Sequence, residues 1–225
     1  YTDEEIHNSI YKTPIQEINY QNHDFENAAN LVTDCLINKK KILIFGDYDV
    51  DGYSSTYLLY DYFITHKLNC DYFIPDRLSD GYGPNVSLLR KLISKSNYDL
   101  VIFVDCGSNS IDEITYLENC GLKCIVIDHH QIYKHKFFNR SVIINPLKKN
   151  LPKKYNALCA TSLTYFFIKY LVKKLNSKKK IDINKYLFFS AIATICDQMP
   201  LRDYNKKIVI KGLRNFDLNK FYNFK

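Results

Sequence analysis

Residues 46–52 read GDYDVDG and place three aspartates at alternating positions directly after the apolar run ILIF, residues 42–45. Carboxylates this close repel one another unless something positive sits among them. Further acids follow later apolar runs: Asp76 and Asp80 in PDRLSDGYGPN, Asp105 in DCGSN, and Asp128 beside His129 and His130 in DHH. Hard carboxylate oxygens combined with imidazole nitrogens suit Mn²⁺, Mg²⁺ or Zn²⁺. So many candidate ligands fit two ions better than one, and a pair roughly 3.5 to 4 Å apart can activate water and clamp both oxygens of a phosphoryl centre.

Asp47, Asp49, Asp51 and Gly52 also match the opening of a calcium loop. That loop needs an entering helix and a bidentate Glu at its twelfth position. Here the twelfth residue is Leu58 and the entering segment reads as a strand, so the calcium loop is set aside. A lone Asp beyond a strand is usually a helix cap or turn former, the reading given to Asp76, Asp80 and Asp112. His7, His23, His66 and His135 are read as structural. Adjacent residues on an extended chain face opposite sides, so of His129 and His130 one binds and the other faces substrate. Gly81 and Gly83 are either turn glycines or part of a substrate loop. Gly107 and Ser108 open a predicted helix whose free N–H groups could meet a phosphate oxygen.

These loops need a scaffold that brings them together. Lys41 to Phe45, Cys70 to Ile74, Leu100 to Val104, Lys123 to Ile127 and Val142 to Ile144 read as strands. Helical stretches at Tyr53 to His66, Asn85 to Lys95 and Ser110 to Asn119 separate the first four, and Asp24 to Ile37 precedes them as a helix. The alternation predicts an α/β fold with right-handed crossovers and a mostly parallel sheet, helices on both faces. Functional groups then collect beyond the carboxyl ends of the strands. After Pro152 the pattern becomes helical, over Ala157 to Leu175, Asn184 to Cys196 and Lys206 to Asn215. The expected organisation is a single domain, 1–225, with a sheet part over 22–150 and a helical part over 151–225.

Residues 1–147 hold 13 Lys+Arg against 20 Asp+Glu, whereas residues 148–225 hold 18 against 4, and ten lysines with no acid lie between Lys148 and Lys180. The split fits an acidic site in one half and a polyanion held by the other, or equally a solvated lysine face. The 19 tyrosines are spread through the chain with no run assignable to base stacking. Seven cysteines without a CxxC pair argue against a zinc ribbon and a disulfide framework, and point to a reducing, cytoplasmic location. The longest apolar stretch, Ala157 to Val172, is broken by Lys169 and falls short of the ~20 residues a membrane span needs.

DYDVDG at 47–52, RLSDGYG at 77–83, VDCG at 104–107, VIDHH at 126–130, INP at 144–146 and ATICDQMPL at 193–201 together resemble, in order, the DHH family of phosphoesterases and its RecJ group of single-strand-specific exonucleases. The resemblance implies Asp49 on one metal, Asp51, His129 and Asp197 on the other, and Asp105 bridging them. It makes His130 and Asp105 the catalytic groups, with His130 facing the scissile phosphate. Asp47 and Asp128 orient ligands, and Arg77, Gly81, Tyr82 and Gly83, with Gly107 and Ser108, hold substrate. Asp197 would otherwise read only as a buried acid needing a partner. The implied cofactors are two divalent ions, Mn²⁺ ahead of Mg²⁺. The implied activity is 5′→3′ hydrolysis of single-stranded DNA in repair and recombination, with a single-strand-binding protein or helicase as partner and no membrane. Alternatives are a phosphodiesterase for short oligonucleotides or cyclic dinucleotides, and a non-catalytic module that binds DNA or a replication protein. Phe45 stands where many members carry histidine, which leaves the first metal one ligand short. The DHH-associated domain and OB-fold that usually follow are not expected in these 225 residues.

Overall fold

A computed structural model describes residues 2, 23–133, 138–148, 153–176 and 183–214. Five strands, β1 (Lys41–Gly46), β2 (Asn69–Phe73), β3 (Leu100–Val104), β4 (Lys123–Ile127) and β5 (Val142–Ile144), form one sheet in the order β2-β1-β3-β4-β5. Every pairing is parallel, as the strand–helix alternation requires. The helices are α1 (His23–Ile37), α2 (Val50–Thr65), α3 (Val86–Lys95), α4 (Ile111–Asn119), α5 (Ala160–Leu175), α6 (Ile183–Cys196) and α7 (Asp203–Arg214).

Strand side chains alternate between two cores. Ile42, Ile44, Ile102, Val104, Ile125 and Ile127 face α1, α2, α5 and α6. Leu43, Phe45, Val101, Phe103, Cys124 and Val126 face α3 and α4 through Leu89, Leu92, Ile114 and Leu117. The helices beyond residue 153 therefore close one face of the sheet and share its apolar core, which burial at about 25 cal/mol per Å² stabilises. Phe45 belongs wholly to the second core: its ring meets Phe73 at 5.5 Å and Phe103 at 5.6 Å between centroids. The position where many family members carry histidine is thus filled by apolar packing.

The strand order reverses between β1 and β3, so their connections leave in opposite directions and open a crevice at the carboxyl ends. Asp47, Asp49 and Asp51 follow β1 and Asp105 follows β3, one group on each side of that crevice. The first turn of α2 is pressed against the preceding loop. A Cβ on the buried Gly52 would collide with the Asp47 backbone, which cannot yield as a flexible side-chain tip could. Gly52→Ala is therefore expected to lower the midpoint of denaturant unfolding and to weaken divalent-cation binding together, read by circular dichroism and calorimetry. Unchanged cation affinity would show that the loop adapts.

Candidate metal centre

Four segments deliver the central group. Asp51 comes from the first turn of α2, Asp105 from the end of β3, His129 from the end of β4, and Asp197 from the residue after α6. The His129 Nε2 lies 3.3 Å from Asp105 Oδ1, 3.4 Å from Asp197 Oδ2 and 3.7 Å from Asp51 Oδ2. Ligand atoms at adjacent corners of a metal polyhedron with bonds of about 2.1 Å lie roughly 3.0 to 3.5 Å apart; the Asp105 and Asp197 spacings fall in that range and Asp51 lies just outside it. Ligand atoms of Asp51, His129 and Asp197 lie within 4.8 Å of one another, as do those of Asp47, Asp49 and Asp105. Asp105 Oδ1 and Asp197 Oδ2 are buried without a hydrogen-bond partner. Orphaned buried oxygens are expensive, and a divalent cation among hard oxygens and an imidazole would satisfy them. The residues present fit that group.

The local backbone keeps these charges together. Asp51 accepts the Ala160 N–H at 2.7 Å and the Thr161 N–H at 2.8 Å, and Thr161 Oγ1 donates to the Asp51 carbonyl at 2.9 Å. Asp51 thus caps α5 in place of its own N-cap residue, Cys159, whose side chain makes no capping bond. Asp49 caps α2 by accepting the Gly52 N–H at 2.9 Å. Asp105 sits at φ 61°, a strained left-handed setting for a non-glycine residue. Asp197 follows the C-terminus of α6, where the helix dipole disfavours an anion. It stands just beyond the helix, as the expected end at Cys196 implies, with its side chain 26% exposed rather than fully buried.

Burial, together with the Asp51 and Asp49 carboxylates, pushes the Asp105 carboxyl far above the ordinary range. Burial also raises Asp197, with His129 opposing and Asp51 adding to the rise, and burial raises Asp47. Asp128 behaves oppositely. Its burial is outweighed by His130, whose Nδ1 lies 2.7 Å from Oδ1, and by the Ser108 N–H at 2.9 Å, which hold it at about 2. The same contact with Asp128 raises His130 against the opposing effect of burial. His129 turns into the carboxylates, whereas His130 is fixed through Nδ1, with Nε2 3.4 Å from the Tyr82 hydroxyl, and still shares a cluster of candidate ligand atoms with Asp105 and His129.

One expectation needs correction. The Ser108 N–H is not free for a phosphate, because Asp128 takes it, and α4 begins only at Ile111. Of the lysine run, Lys148, Lys173 and Lys174 are engaged by the fold itself. Lys148 binds Asp24 at 2.8 Å, Lys174 binds Asn30 at 2.6 Å, and Lys173 and Lys174 close the far end of α5, about 20 Å from Asp51 at ~1.5 Å rise per residue. Residues 149–152 and 177–180, like His7 and His135, fall outside the described residues. Asp76, by contrast, forms the turn expected of it, accepting the Leu78 and Ser79 N–H groups. His66 is likewise structural, bonded to the Tyr62 carbonyl at 2.8 Å. Gly81 and Gly83 adopt φ of 83° and 69°, so each supplies the left-handed backbone that Tyr82 needs to reach His130.

Asn145 carries a role that sequence reasoning missed. Fully buried, it donates to Ser108 Oγ at 2.8 Å and to the His130 carbonyl at 2.9 Å, joining the loops after β3 and β4. Its place in the INP segment was the available signal.

A carboxyl whose pKa is raised on folding binds its proton more tightly folded than unfolded, so stability is lost as pH climbs above the unfolded value of 3.8. His130 acts in the same direction, its contribution disappearing as pH rises through its elevated pKa. In chelator, the unfolding midpoint is expected to fall between about pH 5 and about pH 8, and saturating Mn²⁺ to remove the fall; a flat profile in chelator would contradict the charge cluster. Single substitutions should separate two effects in chelator. Asp105→Asn relieves repulsion and should raise stability, whereas Asp51→Ala strips two α5 amides of their acceptor and should lower it by about 2 to 3 kcal/mol.

The profile of the DHH family, N-terminal domain, matches residues 41–194. The chain is 30% identical over 186 residues to the single-stranded-DNA-specific exonuclease RecJ of Bacillus subtilis and 29% identical over 187 residues to that of Thermus thermophilus. Each alignment covers 83% of this chain but only 22% and 27% of those relatives, so the chain spans about a quarter of their length. Among solved structures, exonuclease RecJ bound to manganese superposes with a TM-score of 0.75 at 28% identity, over 88% of this chain and 49% of that one. The RecJ of Thermus thermophilus in complex with Mn²⁺ gives 0.69 at 26% identity, over 85% of this chain and 27% of that one. The profile's span holds the loops after β1, β3 and β4, and with them Asp47, Asp49, Asp51, Asp105, Asp128, His129 and His130, ending three residues before Asp197: the chain belongs to the DHH family.

Proposed function

We propose that this chain is the catalytic core of a RecJ-like nuclease that hydrolyses phosphodiester bonds in single-stranded DNA from the 5′ end, with two divalent cations and a role in repair or recombination. The observation that carries the reading is the shell around His129 Nε2, three carboxylate oxygens at 3.3 to 3.7 Å, two of them buried without a hydrogen bond. Relatives named as single-stranded-DNA-specific exonucleases and neighbours holding Mn²⁺ or Mg²⁺ support the substrate and the metal. When bound, the cations supply Lewis acidity toward the phosphoryl oxygens and make a nucleophilic water available near neutral pH.

The chain's own residues divide the remaining work. Asp51, His129 and Asp197 would hold one cation and Asp49 the other, with Asp105, 3.3 Å from His129 Nε2 and clustered with Asp47 and Asp49, able to contribute to either. Asp47 and Asp128 orient these groups from behind. Asp128 fixes the His130 Nδ1–H, so that Nε2 faces the phosphate and its proton can pass to the oxygen that leaves. Arg77 and the Gly81–Gly83 loop border the path of the strand.

Hydrolysis of short oligonucleotides or cyclic dinucleotides would use the same ligands, and a series of substrate lengths separates the two readings. Single-stranded DNA incubated with Mn²⁺ should lose 5′ nucleotides, and both chelator and Asp105→Ala should abolish the loss. His130→Gln should slow cleavage about 10²- to 10⁴-fold while leaving cation binding by calorimetry intact. Turnover of dinucleotides with none of longer strands would replace the exonuclease reading, and strand binding without cleavage in saturating Mn²⁺ would replace the enzyme reading altogether.

A further inference from the structure

The first turn of α7 sits against two segments that lead to ligands of the metal centre. Asn205, buried in that turn, donates through Nδ2 to the Ala157 carbonyl at 2.6 Å and to the Pro200 carbonyl at 3.1 Å. Ala157 precedes by three residues Ala160, the first of the two α5 amides that bind Asp51. Pro200 follows Asp197 by three residues. One side-chain amide therefore ties together the stretches that place Asp51 and Asp197, whose Oδ2 atoms lie 3.7 and 3.4 Å from His129 Nε2.

Neighbouring contacts make that turn a firm support. The Tyr204 ring stacks on Tyr155 at 5.2 Å with 6° between the planes, which holds the stretch before Ala157. Farther along, a Cβ on Gly212 would collide with the Ala191 side chain and the Leu187 carbonyl, so α7 lies in close contact with α6, the helix that leads to Asp197. Between these helices Gln198 and Asp203 adopt φ of 53° and 49°, left-handed settings that non-glycine residues keep only where their surroundings impose them. Asn205 Oδ1 is buried with no hydrogen-bond partner among the described residues. A leucine would fill similar space without that cost, so packing does not account for the amide; what it supplies is its two donated bonds. We propose that Asn205 is a positioning residue for the cation site of Asp51, His129 and Asp197: it fixes the separation of the two carboxylates and thereby the strength of the site. The inference rests on the metal-centre reading and does not depend on which phosphodiester is cleaved.

The test titrates the metal-free chain with Mn²⁺ in a calorimeter, with folding followed by circular dichroism. Asn205→Leu should weaken one class of Mn²⁺ site about 10- to 100-fold, the range for groups that orient a ligand, in a chain that stays folded at the assay temperature. A double-mutant cycle separates positioning from general loosening. In Asp197→Ala, which lacks one of the carboxylates that Asn205 sets, adding Asn205→Leu should change the remaining affinity little; in Asp49→Ala the full loss should recur. Asn205→Ser, which can still donate to one carbonyl, should fall between, and it carries the test if the leucine variant does not fold. Equal Mn²⁺ affinity in the native chain and the folded variant would overturn the proposal, as would equal losses in the Asp197→Ala and Asp49→Ala backgrounds. The expected pattern in a chain that cleaves no DNA would support the positioning role and overturn the nuclease reading alone. A native chain that binds no Mn²⁺ would overturn the metal centre and this role together.

Discussion

Repulsion among Asp51, Asp105 and Asp197 around a single imidazole is the constraint on which the rest of the structure depends. Left to local preference, each carboxylate would turn to solvent, since like charges separated by a few ångströms in a buried setting oppose one another strongly. The chain instead holds Asp105 at a left-handed φ and places Asp197 at the unfavourable end of a helix dipole. Such strain persists only where the surroundings over-determine it. Here the surroundings are two apolar cores on either face of a parallel sheet, which fix the strand ends to which the carboxylates are attached.

Asp51 shows how an unfavourable charge is made compatible with folding. Its carboxylate binds the first two amides of α5, where the helix dipole favours an anion. One side chain from the sheet half thereby fixes the direction of the first helix of the helical half, and with it the placement of α6, which packs on α5 and ends one residue before Asp197. The contact is at once a helix cap, a junction between parts of the chain distant in sequence, and a member of the ligand cluster. Asp197 could not reach His129 unless α5 and α6 were set in this way.

Much of the fold was legible because short β-branched runs alternating with helical periodicity admit few arrangements other than a parallel sheet. All five strands and all seven described helices fall within a few residues of the sequence expectation. The loops after β1, β3 and β4 were legible for the same reason, since parallel topology sends every carboxyl end to one edge. Asp197 was not: nothing in an apolar helix announces that the residue after it meets a histidine near residue 130, and only family resemblance singled it out. Asn145 was missed because an amide that joins two loops through its side chain leaves no periodic trace.

The lysine run shows the converse, a strong sequence signal whose meaning depends on orientation. Ten lysines without an acid between Lys148 and Lys180 read as a track for a polyanion. In the fold, α5 points its N-terminus at Asp51 and its C-terminus away, ending at Asn176 in a left-handed turn. Lys173 and Lys174 therefore sit where cations complement the negative end of the helix dipole, while Lys148 is tied to Asp24. Acid at one end and lysine at the other both suit the same helix, so part of the charge asymmetry follows from how α5 is docked.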